Sequence, residues 1–262
     1  MTKLARLVFA VCLVRVVVAA AQPFPFEIVT ATMDMAGERV KVDVYRPYDS
    51  EAVGVAVLAH GFTRDRLRDR DLGRALATAG IVAVAPDLPS MVDHWGNGDA
   101  LVGLVLDLER GVLGLPPTPR SRIVLIGTSA GGLASVIAAA NLPGLAGWIG
   151  LDPVDRTGTA ANAARRLTSR GVVLIGDASV CNLFGSGKAI AEAAPSLVRS
   201  ERLRGASHCD FEGPTTQFCR TVCGGSSARM ATVVRREAVG AALEMLDQMP
   251  DDPALAPRPA DP

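Results

Sequence analysis

The chain has 262 residues, of which 49% are hydrophobic and 4% are aromatic. This length is sufficient for one large α/β domain with a full core and is too short for two such domains. The 27 basic and 27 acidic residues balance each other, so the composition excludes the broad positive surface that is typical of nucleic-acid-binding proteins.

The first 21 residues have the composition of an export signal. Lys3 and Arg6 precede an apolar stretch, and three alanines end the segment at Ala21. Arg15 interrupts the apolar stretch, and neither piece approaches the ~20 residues that span a bilayer. We therefore expect a secreted or periplasmic protein that is cleaved after Ala21 and has no stable membrane span after cleavage.

Cleavage leaves four cysteines, Cys181, Cys209, Cys219 and Cys223, and an even number in an exported chain indicates two disulfides. Four cysteines can pair in three ways, and all three stay open here. A metal site is the alternative, because Cys219 and Cys223 have three residues between them and His208 and Cys209 lie nearby. The exported context and the lack of a second close cysteine pair favour disulfides, and we expect no metal.

The order of elements along the chain predicts an α/β protein. Residues 27–32 and 39–46 alternate apolar and polar side chains around Gly37, which predicts an antiparallel hairpin. Later apolar runs alternate with helical patterns, which is typical of a mostly parallel sheet with helices on both faces. Strands are expected at residues 53–59, 81–85, 122–126, 148–151, 172–175 and 197–203, and helices at 64–79, 99–113, 133–140, 159–167, 185–194 and 226–249. Residues 250–262 are rich in proline and acidic side chains and are expected to be disordered, which leaves 22–249 as the folded domain.

A Gly-x-Ser-x-Gly sequence at residues 127–131 lies between a predicted buried strand and a predicted helix. A serine at such a turn takes a strained backbone conformation, and the flanking glycines allow the strand and the helix to approach closely. The start of the helix points backbone N–H groups at the serine hydroxyl. We therefore predict that Ser129 is a nucleophile; the alternative is an ordinary tight turn at Gly127 and Gly131.

A serine nucleophile requires a base, and histidine is the natural base near neutral pH. His60 and His94 precede the serine, whereas His208 follows it, as the order of strand, nucleophile, acid and histidine in such sheets requires. The third member is a carboxylate that orients the imidazole. Asp152 and Asp177 each follow a predicted strand, and the residues alone leave both open.

Two backbone N–H groups are candidates for the oxyanion hole that stabilises charge on a tetrahedral intermediate. One belongs to Ala130, directly after the nucleophile, and the other to Phe62, after the His60-Gly61 turn. Trp95, in a predicted loop at residues 90–98, is a candidate wall of the substrate pocket; the alternative is core or surface packing.

Three segments, His60-Gly61-Phe62, residues 127–132 and Ser207-His208, resemble the α/β-hydrolase superfamily over residues 27–249. Within it, residues 58–62 and 151–155 are similar to chlorophyllase and its bacterial relatives, and this resemblance implies an aspartate of the Asp-Pro-Val segment, Asp152, as the acid. The elbow carries Thr128 and Ala130 where chlorophyllases usually carry histidine and arginine, which speaks against chlorophyll as the substrate.

A cysteine beside His208 and others close behind it resemble secreted cutinases and polyester hydrolases, in which disulfides hold the histidine loop. That resemblance implies Asp177 as the acid instead. Of the two, we favour Asp152.

Together these features predict an exported serine hydrolase that cleaves a small-molecule or lipid-like carboxylic ester through an acyl-enzyme, with no cofactor and no nucleic-acid partner. A non-catalytic binding module is one alternative. An acyltransferase or haloperoxidase on the same scaffold is another. The sequence leaves the oligomeric state open.

Overall fold

A computed structural model of the protein describes residues 24–48 and 52–247. The predicted export signal and C-terminal tail lie outside these residues. The strands are β1 (Phe26–Met35), β2 (Glu38–Pro47), β3 (Val55–Ala59), β4 (Val82–Pro86), β5 (Ile123–Thr128), β6 (Gly147–Leu151), β7 (Gly171–Ile175) and β8 (Leu197–Arg202). The helices are α1 (Arg70–Thr78), α2 (His94–Arg110), α3 (Ala130–Ala140), α4 (Thr159–Ala164), α5 (Gly187–Ala193), α6 (Gln217–Val222) and α7 (Ala228–Asp247).

The strands form one sheet in the order β1-β2-β4-β3-β5-β6-β7-β8. β1 and β2 form the predicted antiparallel hairpin, and β2 also runs antiparallel to β4. From β4 to β8 every neighbouring pair is parallel. The predicted mostly parallel sheet with an N-terminal hairpin is therefore confirmed, and the carboxyl ends of its parallel strands share one edge.

The sheet separates two hydrophobic cores because successive side chains of a strand point to opposite faces. In β3, Val55 and Val57 pack with helices α2 to α5, whereas Ala56 and Leu58 pack with α1 and α7. All five residues of β3 are buried, as the unbroken apolar run predicts for a strand that is covered on both faces. None of the helices within residues 24–48 and 52–247 has the length and apolar character needed to cross a bilayer.

The start of α2 differs from the prediction, which placed residues 90–98 in a loop. The helix begins at His94, because the Asp93 side chain accepts a hydrogen bond from the Gly96 N–H at 2.8 Å and caps it. Gly98 is a packing residue of this helix: a side chain there would clash with Ile137 of α3. Both glycines therefore belong to a helix that packs closely on its neighbour.

Candidate active site

Ser129 lies at the sharp turn between β5 and α3. Its φ angle is 57°, a region that L-residues rarely occupy. A side chain at Gly131 would clash with the carbonyl oxygen of Ala59, and one at Gly127 would clash with the backbone of Gly131. The two glycines therefore allow strand and helix to meet, as the sequence predicts, and Ser129 lines a surface cavity.

His208 connects Ser129 to Asp152 by two hydrogen bonds. His208 Nε2 lies 3.1 Å from Ser129 Oγ, and His208 Nδ1 lies 2.6 Å from Asp152 Oδ2. The Asp152 side chain is 1% exposed and that of His208 is 12% exposed. A buried carboxylate at Nδ1 fixes the tautomer in which Nδ1 donates and Nε2 accepts, so Nε2 is free to take the serine proton.

Asp177, the alternative acid, has other partners. Its Oδ1 lies 2.9 Å from Nη2 of Arg202, and its Oδ2 accepts a hydrogen bond from the Gly205 N–H at 2.9 Å. The Arg202 hydrogen bond is the main cause that lowers the pKa of this carboxyl. Its side chain is 46% exposed. The structure thus brings Asp152, and not Asp177, to the histidine.

The loop that carries His208 is held by a buried carboxylate. Asp210 Oδ2 accepts from the Ser207 N–H at 2.8 Å, and its Oδ1 accepts from the Ser227 N–H at 2.7 Å and from Ser226 Oγ at 2.9 Å. These bonds join the residues before His208 to the start of α7. Because Asp210 is 2% exposed, its contacts restrict the backbone from which the imidazole projects.

The four cysteines form the two expected disulfides, Cys209–Cys219 and Cys181–Cys223. The sulfur atoms of Cys209, Cys219 and Cys223 lie within 4.8 Å of one another, because the two bridges are neighbours. Since all four sulfurs are bonded to a second sulfur, this cluster offers no thiolate for a metal. Helix α6 contains Cys219 and ends directly before Cys223, so one bridge starts within the helix and the other directly after it.

The two predicted oxyanion donors belong to residues near the nucleophile that line the same cavity. Ala130 is the first residue of α3, and Phe62 follows Gly61, where a side chain would come within 3.1 Å of Ser129 Cβ. Neither backbone N–H has a hydrogen-bond acceptor among residues 24–48 and 52–247. Both residues line the cavity, so these donors are free for a ligand oxygen.

His60 supports the turn that carries Phe62. Its Nε2 accepts a hydrogen bond from the Leu88 N–H at 2.9 Å, and its Nδ1 lies 3.0 Å from the Gly61 carbonyl oxygen. Burial lowers the pKa of this imidazole, which favours the neutral form that both contacts require. His60 therefore fixes the backbone between the loops after β3 and β4.

The cavity beside Ser129 has a volume of about 560 Å³ and a mainly apolar lining. Its apolar side chains include Phe62, Leu133, Val154, Leu183, Phe218 and Val222. His94 at the start of α2 also lines it, whereas Trp95, the predicted pocket wall, is 51% exposed and does not. The reason is the early start of α2, which directs successive side chains to different sides of the helix.

Two arginines line the same cavity. Arg64 Nε donates to Glu212 Oε2 at 2.6 Å, and both of these side chains are mostly buried. Arg156 is exposed and has no hydrogen bond or ion pair with any described residue. No aspartate or glutamate is found among the described residues that line the cavity. Its walls therefore carry one unpaired positive charge besides the apolar side chains.

No family model and no curated protein matches this chain in sequence. Solved structures do match it, in 1106 chains, so the fold is a common one. Dienelactone hydrolase from Anabaena variabilis is among them, with a TM-score of 0.66 and 18% sequence identity. The match covers 82% of this chain and 96% of that chain. The chain has the α/β-hydrolase fold. At this identity the likeness shows the fold and leaves the chemistry to the site.

In this α/β-hydrolase fold the three site residues follow the carboxyl ends of different strands. Ser129 follows β5, Asp152 follows β6 and His208 comes six residues after the end of β8. Side chains that are 79 and 56 residues apart in sequence therefore meet at one edge of the sheet.

Sequence reasoning missed two buried residues of this site, Asp210 and Asn182. Asp210 lies two residues after His208, and Asn182 directly follows Cys181. The sequence could have indicated both residues, because each is a polar residue close to a predicted base or a predicted disulfide. Proximity in sequence does not show which atoms such a side chain contacts.

Proposed function

We propose that this protein is an exported serine hydrolase that cleaves carboxylic esters. The observation that carries the proposal is the continuous series of hydrogen bonds from Ser129 Oγ through His208 to Asp152, at 3.1 and 2.6 Å. A hydroxyl, an imidazole and a buried carboxylate in this order are the groups that nucleophilic acyl transfer requires.

In the acylation step, Ser129 Oγ attacks the ester carbonyl carbon while His208 Nε2 takes the hydroxyl proton. The C–O bond of the ester then breaks, and the alcohol leaves with that proton. Asp152 keeps the imidazole in the correct tautomer and stabilises its positive charge. The products of this step are the free alcohol and an acyl group on Ser129.

In the deacylation step, water replaces the serine hydroxyl as the nucleophile. His208 takes a proton from water, the hydroxide adds to the acyl carbon, and Ser129 Oγ leaves with the proton from the imidazole. The N–H groups of Phe62 and Ala130 donate to the oxyanion that forms in each step. The carboxylic acid is released and the serine is regenerated.

The cavity supports an ester with an apolar acyl or alcohol part. Its lining includes two phenylalanines, Phe62 and Phe218, which are 53% and 67% exposed and leave apolar surface for a ligand. The two disulfides support function in an oxidising compartment, which agrees with the export signal predicted from residues 1–21.

Hydrolysis of p-nitrophenyl butyrate by the wild-type protein and by Ser129→Ala tests the proposal. We expect kcat to fall by about 10⁶-fold in the variant, because the nucleophile is removed. Ser135→Ala is the matched control, because it makes the same substitution at a buried serine of α3 whose hydroxyl has no partner among the described residues. It should keep kcat within about twofold.

Labelling provides a second measurement that does not depend on the choice of ester. A fluorophosphonate should form a covalent adduct with the wild-type protein at Ser129 and with Ser135→Ala, but not with Ser129→Ala. Equal ester hydrolysis by wild type and Ser129→Ala, or labelling at another residue, would favour a non-catalytic binding module. Release of the free acid, and not of a transferred ester when an alcohol is added, separates a hydrolase from an acyltransferase.

A further inference from the structure

Asn182 is fully buried in the turn between β7 and α5. Its side-chain oxygen accepts hydrogen bonds from the Ser179 N–H at 2.9 Å and from the Gly185 N–H at 3.1 Å. Its amide nitrogen donates to the Asp177 carbonyl oxygen at 2.9 Å. The oxygen and one N–H of the amide therefore bind the backbone of their own turn, which fixes the direction of the second N–H.

That second N–H points at the carboxylate of Asp152. Asn182 Nδ2 lies 3.2 Å from both Asp152 Oδ1 and Asp152 Oδ2. The Gly176 N–H donates to Oδ1 at 2.9 Å, and His208 Nδ1 is paired with Oδ2. The Asp152 carboxylate is thus held by a backbone N–H at Oδ1 and by the histidine at Oδ2. Among the described residues, Asn182 is the one whose side chain contacts both oxygens.

We propose that Asn182 is a positioning residue for the hydrolytic reaction, because it holds the Asp152 carboxylate in the plane that His208 needs. This inference rests on the proposed function. Asn182 does not line the cavity, although its neighbours Cys181 and Leu183 do, so it acts on the reaction through Asp152 alone. The Cys181–Cys223 bridge ties its turn to the end of α6.

The variant N182D separates this role from a purely structural one. A carboxylate at this position can still accept from the Ser179 and Gly185 N–H groups, so the turn keeps those two bonds and loses the one to the Asp177 carbonyl oxygen. It cannot donate to Asp152 when it is ionised, and its charge repels that carboxylate. We expect kcat to fall by about 10- to 100-fold at pH ~8, because a small misplacement of a catalytic group has that cost, with KM unchanged.

The pH dependence supplies a readout that a structural role would not move. The titratable groups beside this position are Asp152 and, through it, His208. When the introduced carboxyl is protonated, its O–H can again donate to Asp152. The ratio of wild-type to N182D kcat should therefore narrow from pH ~8 to pH ~5.5.

Asn162→Asp is the matched control, because it makes the same change in charge at an exposed position of α4. It should leave kcat and its pH profile unchanged. If N182D does not fold, N182S removes the amide without adding charge, and we expect a lower kcat at unchanged KM. Wild-type kcat in the folded variant, or a wild-type to N182D ratio that is constant over this pH range, would overturn the inference.

Ser129→Ala in the same assay keeps the two proposals distinguishable. If Ser129→Ala abolishes hydrolysis and N182D does not lower kcat, the positioning role fails and the proposed function stands. If hydrolysis survives in Ser129→Ala, the proposed function itself fails.

Discussion

Replacing each candidate acid by asparagine should have very different effects at Asp152 and Asp177. The two substitutions are equal in size and in charge change, so each is a control for the other. In the structure the Asp152 side chain is 1% exposed and hydrogen-bonded to His208, whereas the Asp177 side chain is 46% exposed and hydrogen-bonded to Arg202. The difference in kcat between the two variants therefore reports where each carboxylate lies in the site, because the loss of charge is the same in both.

The expected cost of Asp152→Asn follows from the donors around this carboxylate. The Gly176 N–H and the Asn182 amide both donate to Oδ1, so the oxygen of the new amide should occupy that position. Its NH₂ group then faces His208 Nδ1 and stabilises the tautomer in which Nε2 carries a proton. Such an imidazole cannot accept the proton of Ser129, and kcat should fall by about 10⁴-fold. That factor corresponds to about 5.4 kcal/mol of activation free energy.

Asp177→Asn removes an exposed ion pair, which contributes about 0.2–1 kcal/mol to stability. We expect its kcat to stay within about twofold of wild type. The assay is the steady-state rate of p-nitrophenyl butyrate hydrolysis at pH ~8, with circular dichroism to show that both variants are folded. An equal loss in the two variants, or a folded Asp152→Asn that keeps a tenth of the wild-type rate, would refute this reasoning.

Three further predictions concern the disulfides, a buried carboxyl and the cavity charge. The bridges span 42 and 10 residues, so the chain-entropy model predicts that removing them lowers the free energy of unfolding by about 4 and 2.7 kcal/mol respectively. In a reductant, kcat should fall before the far-ultraviolet circular dichroism signal does. An unchanged kcat in the reductant would contradict this prediction. Burial chiefly, and then Glu212 and Asp65, raise the pKa of Asp69 to about 8. Because the unfolded carboxyl titrates near ~3.9, the free energy of unfolding should fall as pH rises from ~4 to ~8, by at most about 1.4 kcal/mol per unit. Urea denaturation should show that Asp69→Asn abolishes this slope. Because Arg156 is the unpaired cation among the described residues of the cavity wall, it should attract a carboxylate on the acyl chain. Arg156→Gln should therefore lower kcat/KM for mono-p-nitrophenyl glutarate about fivefold relative to p-nitrophenyl pentanoate. A similar change in the exposed Arg165→Gln control would contradict this role of Arg156.

The strand, turn and helix around Ser129 could be predicted from the local sequence. The apolar run of β5 and the glycines around Ser129 predicted a strand, a turn and a helix, and the structure shows that sterics require those glycines. The same kind of rule was wrong at residues 90–98. The loop predicted there includes Gly96 and Gly98, whereas in the structure both lie in a capped helix that packs on Ile137 through Gly98.

The choice between the two aspartates could not be made from local patterns. Asp152 and Asp177 both follow a strand, and what separates them is a set of contacts distant in sequence: 56 residues to His208 for one, and 25 residues to Arg202 for the other. Disulfide pairing and the role of Asn182 have the same character. Such contacts depend on how the loops after β6, β7 and β8 pack against one another. A single sequence contains no repeat or residue spacing from which that packing could be predicted.

Helix α6 has only six residues, yet it is connected to three parts of the proposed active site. Phe218 and Val222 face the cavity, Cys219 is bonded to the neighbour of the histidine, and Cys223, directly after the helix, is bonded to the neighbour of Asn182. A bound acyl chain that pushes on this helix would therefore transmit force through covalent bonds to the supports of both the base and the acid. The wall of the proposed substrate cavity and the supports of the proposed base and acid thus share one short covalently linked helix, and a change in the length of α6 should disturb both at once.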